Sequence, residues 1–248
     1  MLAALHQEGC LKARFPRPAP GGFATAVPIN SSGGTAPGDR LQISVRLEAG
    51  AAATIAGQAS ERFYRAAAGS PPAHLRHALF VGPGAALEWL PQEAILFDGT
   101  ALDRALSVEL AADASLLLVE AILFGRLAMG EEVRTALFRD RISVRRAGKL
   151  IFEDRLHLAG AIAAQLDRPA IAGGARAVAT ILEVGGTADL DAIRTALARP
   201  EIEAGVSSFD GLLIARLAAR DGSALRTGIL AALSTLRHNR PLPRVWLC

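Results

Sequence analysis

Four carboxylates lie inside or beside the most apolar segments of this 248-residue chain. Glu88, Glu93 and Asp98 lie close together in one apolar segment, and Glu120 interrupts the next apolar run, residues 119–124. An ionised carboxylate in apolar surroundings costs on the order of several kcal/mol unless it is paired, hydrogen-bonded or in contact with water. These positions therefore indicate either structural ion pairs or the wall of a hydrated passage.

Two kinds of chemistry are open to such carboxylates. Glu88 and Glu93 could act as the acid and base of a hydrolase, since general acid–base catalysis uses paired carboxylates with perturbed pKa values. Alternatively, carboxylate oxygens along an internal route could pass a divalent cation onward. Without a cluster of histidines and thiolates they bind transition metals weakly, which suits transfer better than storage.

Other catalytic and binding motifs are incomplete. Gly148 and Lys149 are followed by Leu150 rather than Ser or Thr, so they do not form a phosphate-binding P-loop. No glycine-rich turn predicts a dinucleotide site. His74 and His77 are three positions apart without a third ligand in a zinc pattern, so they are interpreted as surface or strand residues. Motifs alone thus predict no cofactor site.

The composition of the chain limits the cellular compartments and the binding partners that are compatible with it. The net charge of +3 comes from interleaved arginines and acids, which argues against nucleic-acid binding. The longest apolar window, 114–128, is interrupted by charges and too short to cross a bilayer, and no signal peptide is apparent at Met1. Cys10 and Cys248 are interpreted as free thiols rather than a disulfide pair. We therefore expect a cytoplasmic protein with no membrane partner.

The first two thirds of the chain predict β-structure. Residues 41–47 alternate strictly between apolar and polar, as in a half-buried strand. Similar segments end in small-residue turns at Gly50, Gly84 and Asp113, and another turn at 147–149 joins two further strands. We interpret each unit as a β-hairpin stacked on its neighbours. The predicted fold is mainly β, an elongated, solenoid-like or β-helix-like stack of hairpins.

The last third predicts two α-helices. Residues 188–199 and 223–238 have apolar side chains at helical spacing, and the first helix has acids near its start and Pro200 after its end. The segment 211–217 between them predicts a buried strand. We expect a single domain, residues 1–248, with a β-rich part (1–186) and a mixed α/β part (187–248).

In combination, motifs along nearly the whole chain resemble the urease accessory protein D family, also called UreH. They are residues 6–9 with 11–18, 30–39, 58–65, 88–98, 120–131, 140–141 and 212–216. The resemblance implies a mainly β scaffold that is not an enzyme and that binds urease apoprotein and the accessory proteins F and G. It implies no tightly bound cofactor, but transient passage of nickel(II) towards the urease active site.

An internal nickel route, also implied by this resemblance, would have carboxylates in its wall. The candidate metal-contacting residues are Asp39, Glu61, Glu93, Asp98, Glu120, Glu131 and Glu153. Two alternatives remain: a hydrolase using Glu88 and Glu93, and a β-solenoid interaction protein that does not handle metal.

Overall fold

The computed structural model describes residues 2–18, 20–187, 189–238 and 240–247. The chain is mainly β. Its strands are β1 (Leu11–Arg14), β2 (Ala24–Asn30), β3 (Arg40–Leu47), β4 (Ala52–Ala56), β5 (Glu61–Phe63), β6 (Ala73–Val81), β7 (Ala86–Leu90), β8 (Ala94–Leu96), β9 (Ala101–Leu110), β10 (Ser115–Phe124), β11 (Thr135–Arg146), β12 (Lys149–Ala161), β13 (Ala177–Val184), β14 (Ile202–Phe209) and β15 (Leu212–Ala219). The helices are α1 (Ile162–Leu166), α2 (Leu190–Leu197) and α3 (Gly222–Leu236), with 3-10 turns at Leu127–Met129 and Arg244–Trp246.

These strands form two mixed sheets. The ten-stranded sheet has the order β1-β2-β4-β7-β10-β13-β15-β14, with β8 pairing both β10 and β5 beside that path. The five-stranded sheet has the order β12-β11-β9-β6-β3. In the five-stranded sheet β11–β12 is antiparallel and the pairs from β11 to the edge strand β3 are parallel; in the ten-stranded sheet the pairs from β2 to β10 are parallel, whereas β1–β2 and β14–β15 are antiparallel. Both sheets are therefore mixed.

Between β3 and β10 the chain winds from one sheet to the other. β3, β6 and β9 run parallel in the five-stranded sheet, and β4, β7 and β10 run parallel in the ten-stranded sheet. Backbone hydrogen bonds tie the successive corners together, from Gly50 N to Pro83 O at 2.8 Å and from Ala111 N to Val81 O at 2.9 Å. Each turn of chain is thus built on the previous one.

The hairpins predicted at Gly50, Gly84 and Asp113 are wrong. These turns lead from the five-stranded into the ten-stranded sheet, so the strands on either side pair with other strands and not with each other. Alternation and a small-residue turn are compatible with a corner as well as a hairpin, because neither feature encodes the pairing partner. The sheets are mixed and, over the described residues, do not close, so the solenoid-like stack is not confirmed.

Several other expectations are confirmed. The hairpin around Ala147 and Gly148 is formed by β11 and β12. The alternating strand is β3, the late buried strand is β15, and the two C-terminal helices are α2 and α3. Asp189 and Asp221 cap these helices by accepting hydrogen bonds from Asp191 N and Ala224 N. The predicted start of the first helix, Ala188, lies outside the described residues, as does Cys248.

Three apolar cores hold the layers together. The outer core lies between the ten-stranded sheet and the helices and includes Leu225, Ile229 and Leu233 of α3. The other two lie between the sheets. Inner core 1 contains the buried side chains Leu79, Leu106, Leu118, Val144 and Leu182. Inner core 2 contains Phe63, Leu102, Phe124, Phe138 and Leu158.

Candidate functional site

A charged layer separates the two inner cores. Along β10, Leu116 and Leu118 point into inner core 1, whereas Ile122 and Phe124 point into inner core 2. Because strand side chains alternate, Glu120 occupies the inward position between these pairs. The same alternation places polar side chains at this level on other strands. We call the following set the charged layer: His77, Trp89, Arg104, Glu120, Asp140, Asp154, Thr180 and Arg216.

Arg104 lies at the centre of the charged layer. Its Nη1 donates to Glu120 Oε2 at 2.7 Å, and its Nε and Nη2 donate to Asp140 Oδ1 and Oδ2 at 2.9 and 2.6 Å. Trp89 Nε1 donates to the other Glu120 oxygen at 2.8 Å. The three charged side chains are only 6–7% exposed. Charge-assisted hydrogen bonds of this geometry are strong when buried, so Arg104 fixes both carboxylates.

The charges at this centre do not balance. One guanidinium faces two carboxylates, which leaves a net charge of about −1 when both acids are ionised. Burial raises the pKa of Glu120; Arg104 opposes this shift, and Asp140 adds to it. Burial works against the charged form of Arg104, but Asp140 and Glu120 raise its pKa further above the ordinary value. Arg104 therefore stays charged. Of the two acids, Glu120 is the one whose negative charge an additional proton or cation would neutralise.

Two cavities meet at Glu120. Cavity 1, of about 310 Å³, is lined by residues that include Glu61, His77, Arg104 and Glu120. Cavity 2, of about 510 Å³, is lined by residues that include Glu120, Asp140, Asp154, Thr180 and Arg216. Exposed residues such as Gln58 and Arg62 for cavity 1, and Arg155 and Glu203 for cavity 2, also contribute to the walls. Both cavities thus reach the surface, and Glu120 lines both.

Among the predicted metal-contacting carboxylates, Glu61 and Glu120 line cavity 1. Glu61 Oε1 accepts from Asn30 Nδ2 and Thr35 Oγ1, both at 2.8 Å, and Arg62 contributes only a nearby positive charge. Burial raises the pKa of Glu61, although those hydrogen bonds oppose the shift. The structure therefore brings these two acids, one from β5 and one from β10, to the same cavity.

The other predicted acids have structural partners. Glu93 contacts Ser60 and Arg226, and Glu131 accepts from Arg126 Nε at 2.6 Å. Asp39 accepts a turn hydrogen bond from Ala36 N at 2.8 Å. Glu153 pairs with Arg141 and Arg155 on the outer face of the five-stranded sheet, since its neighbour Phe152 points into inner core 1. None of these four is among the residues that line the two cavities.

Asp98 joins two loops. Its Oδ1 accepts from the backbone N–H groups of Arg134 and Thr135 at 2.8 and 3.0 Å, and its Oδ2 accepts from Arg65 at 2.9 Å. Burial by itself raises the pKa of Asp98, but the two backbone hydrogen bonds and the nearby arginines outweigh burial, so the pKa is lowered. Asp98 is therefore an ionised anchor for the start of β11.

The proposed hydrolytic pair is not assembled. Glu88 lies on the outer face of β7, where Arg237 donates at 2.9 and 3.1 Å and Arg240 lies 2.8 Å away. Glu93 contacts a different arginine, Arg226. Each carboxylate is thus occupied by its own guanidinium partner, which favours structural ion pairs over an acid–base couple.

Sequence reasoning missed Arg104, Asp140 and His77 as members of the site. Arg104 occupies the inward position between Leu102 and Leu106. In the sequence, a charged residue at a position where the alternation of β9 predicts an apolar one would have indicated this site. Over the described residues, no three His, Cys, Asp or Glu side chains are grouped to hold a metal. The described residues therefore form no tight metal centre.

This arrangement defines a class, a mixed two-sheet β-protein with ion pairs and cavities through its interior. A family model described as UreD urease accessory protein matches residues 1–247, and the chain belongs to that family. It is 43% identical to urease accessory protein UreD 3 of Bradyrhizobium sp. over 98% of this chain and 86% of the relative. It is 44% identical to UreD of Rhizobium leguminosarum bv. trifolii over 99% and 89%. UreD of Ruegeria pomeroyi is 42% identical over 99% and 94%. None of the described helices has the length and hydropathy to cross a membrane.

We predict that Arg104→Met destabilises the fold by about 3–5 kcal/mol, because it leaves two buried carboxylates without their cation. Urea unfolding would measure the loss. Arg76→Met is the matched control, since Arg76 pairs with Asp103 while 46% exposed, and it should cost less than about 1 kcal/mol. Adding Glu120→Gln to Arg104→Met should recover part of the stability. Equal effects of the two arginine substitutions would contradict the buried-charge account.

We predict that the stability difference between Asp98→Asn and the wild type depends on pH. The folded-state pKa of Asp98 is lowered, so the carboxylate stabilises the fold fully above the unfolded-state value of about 4 and loses that contribution as pH falls through the folded value. Unfolding free energies from pH 7 downward should show the gap between the two proteins closing with acid. Asp191→Asn, at an exposed helix end, is the control. A gap independent of pH would exclude ionisation as its source.

Proposed function

We propose that this chain is a urease maturation factor of the cytoplasm, a non-catalytic scaffold that binds urease apoprotein and the accessory proteins F and G. On this proposal it passes nickel(II) towards the urease active site through its interior and holds no permanent cofactor. Membership of the UreD family, and relatives that are named as urease accessory proteins, support the role in urease maturation. The incomplete phosphate-binding motif at Gly148 is in keeping with a partner supplying nucleotide hydrolysis.

The observation that carries the nickel route is that Glu120 lines both cavities. A cation entering cavity 1 would meet Glu61 near the surface and Glu120 at the inner end. Beyond Glu120, cavity 2 presents Asp140, whose two oxygens accept from Arg104, and Asp154, one oxygen of which accepts from Arg216. Carboxylate oxygens spaced in this way offer a divalent cation a series of weak contacts without a strong one. We call this sequence of contacts the interior route.

Arg104 lines cavity 1 and binds Glu120 and Asp140, both of which line cavity 2, so the interior route needs its guanidinium to move. Its bond to Glu120 uses one nitrogen, whereas its bonds to Asp140 use two. A cation that binds Glu120 replaces the single contact, and the bidentate contact to Asp140 can persist. The displaced charge stays paired, which keeps the cost of opening below that of freeing a buried guanidinium.

The two alternatives have less support. A hydrolase is disfavoured because Glu88 and Glu93 are each occupied by an arginine. A scaffold that does not handle metal would share the fold and the partners, but it would not depend on the charge of acids in the cavity walls. Neutral substitutions that preserve hydrogen bonds separate this alternative from the nickel route.

We predict that Glu61→Gln lowers urease activation several-fold when it replaces the wild type in a strain lacking this gene. Glutamine keeps an Oε1 acceptor for Asn30 and Thr35, so the local hydrogen bonds survive while the charge is lost. Glu153→Gln, outside both cavities, is the control and should support normal activation. The measurements are urease activity, nickel content of purified urease, and recovery of the complex with F and G.

Three outcomes bear on the proposal. In the strain lacking the gene, urease should be made but contain no nickel, and normal urease there would end the proposal. Loss of the complex with F and G in Glu61→Gln would make Glu61 a structural residue and remove it from the interior route. Equal, full activation by both glutamine variants would favour a scaffold that does not handle metal.

A further inference from the structure

His77 lines cavity 1 and has a buried ring nitrogen that makes no hydrogen bond with any residue that the structure describes. It occupies an inward position of β6 between Leu75 of inner core 2 and Leu79 of inner core 1, and it lines the cavity with Glu120. Its Nδ1 is buried and has no hydrogen-bond partner in the described part of the protein. A buried polar atom without a partner costs about 1–3 kcal/mol, so this nitrogen is available to a ligand that would repay part of that cost.

The imidazole is also in the form that binds metals. Burial, and after it the positive charge of Arg104, lower the pKa of His77 to about 3. The ring is therefore neutral at physiological pH and carries a single N–H, so in the tautomer with the proton on Nε2 the Nδ1 lone pair is free to bind a cation. Neutral imidazole is the form of histidine that coordinates transition metals.

Trp89 connects His77 to Glu120 in the wall of cavity 1. The ring centroids of His77 and Trp89 are 5.1 Å apart, and Trp89 Nε1 donates to Glu120 Oε1 at 2.8 Å. The indole thus packs against the histidine and holds the carboxylate. When ionised, the Glu120 carboxylate brings a negative charge to the inner end of cavity 1, and the guanidinium of Arg104 opposes its attraction for a cation.

We propose that His77 Nδ1 and the Glu120 carboxylate form a transient site for a divalent transition-metal cation at the inner end of cavity 1. The assignment rests on the interior route of the proposed function and names the point where nickel pauses before passing Arg104. Imidazole nitrogen and carboxylate oxygen are both accepted ligands of nickel(II). The remaining coordination positions are filled by water, for which a cavity of about 310 Å³ has room.

Two protein ligands and a nearby guanidinium make this a weak site. Arg104 repels a cation bound at His77, and this repulsion limits the affinity that the negative charge of Glu120 and Asp140 would otherwise give. When the cation binds the Glu120 carboxylate, Arg104 Nη1 loses its hydrogen bond to Glu120, and the guanidinium retains its two hydrogen bonds to Asp140. A site that releases its cation readily is what transfer requires, whereas three or more ligands would retain it.

The experiment titrates nickel chloride into the isolated full-length chain and compares wild type, His77→Phe and His74→Phe. Phenylalanine keeps a ring against Trp89 but offers no ligand. His74 is the matched control because it lies on the same strand, three residues earlier, on the opposite face of the sheet. Calorimetry measures affinity and stoichiometry, and X-ray absorption at the nickel edge reports imidazole ligation.

We expect His77→Phe to lose one bound nickel equivalent or to bind it at least about tenfold more weakly, with loss of the imidazole signal, while His74→Phe binds like the wild type. Unchanged binding by His77→Phe, or an equal loss in His74→Phe, would overturn the assignment. Circular dichroism checks folding, and His77→Gln decides the matter if the phenylalanine variant unfolds.

The same variants distinguish this site from the proposed function. If His77→Phe binds nickel normally while Glu61→Gln still impairs urease activation, the His77 site is wrong and the interior route stands. If the strain lacking the gene makes normal urease, the proposed function is wrong, whatever nickel the isolated chain binds.

Discussion

The two sheets are joined halfway along their strands by ion pairs. Arg104 on β9 of the five-stranded sheet binds Glu120 on β10 of the ten-stranded sheet, and Arg216 on β15 binds Asp154 on β12 at 2.8 Å. At the buried Arg104–Glu120 pair, apolar side chains of the same volume would stabilise the fold at least as well, because burying charges costs much of what their attraction returns; Arg216 and Asp154 are 54% and 27% exposed. The buried ion pair of the charged layer therefore stabilises the contact between the two sheets no better than apolar packing would. The charged layer divides the interior into two apolar cores and leaves polar cavities between them.

The acidic residues in apolar segments have two different structural roles. Glu88, Glu93 and Asp98 anchor other parts of the chain, namely the segment after α3, α3 itself and the start of β11. Glu120 instead faces the space between the sheets. Sequence alone could not separate these cases, because the face of the sheet on which a residue lies depends on strand register and on which strands pair. Alternation showed where strands are, but not what lies opposite each side chain.

The sequence predicts individual strands and helices better than it predicts which of them are in contact. The periodicities of β3, α2 and α3 and the turn at Gly148 are local signals, and the structure has those elements in place. The parallel pairing of β3, β6 and β9 joins residues about one winding of chain apart, and no local pattern reports it. For the same reason the sequence predicts only an ordinary strand residue at His77, because the residues it lies beside, Trp89 and Glu120, belong to the other sheet.

The winding of the chain between the sheets also governs how the molecule must be assembled. Strands β3, β6, β9 and β11 each add to the one before, so an unfinished molecule ends in a strand whose outer N–H and C=O groups have no partner yet. Parallel pairing of this kind forms slowly, because the chain must lose the entropy of closing a long loop before the paired strands make stabilising contacts. During synthesis every incomplete turn thus offers a template for another chain, and the period before β11 and β12 complete the five-stranded sheet is when aggregation competes most strongly with folding.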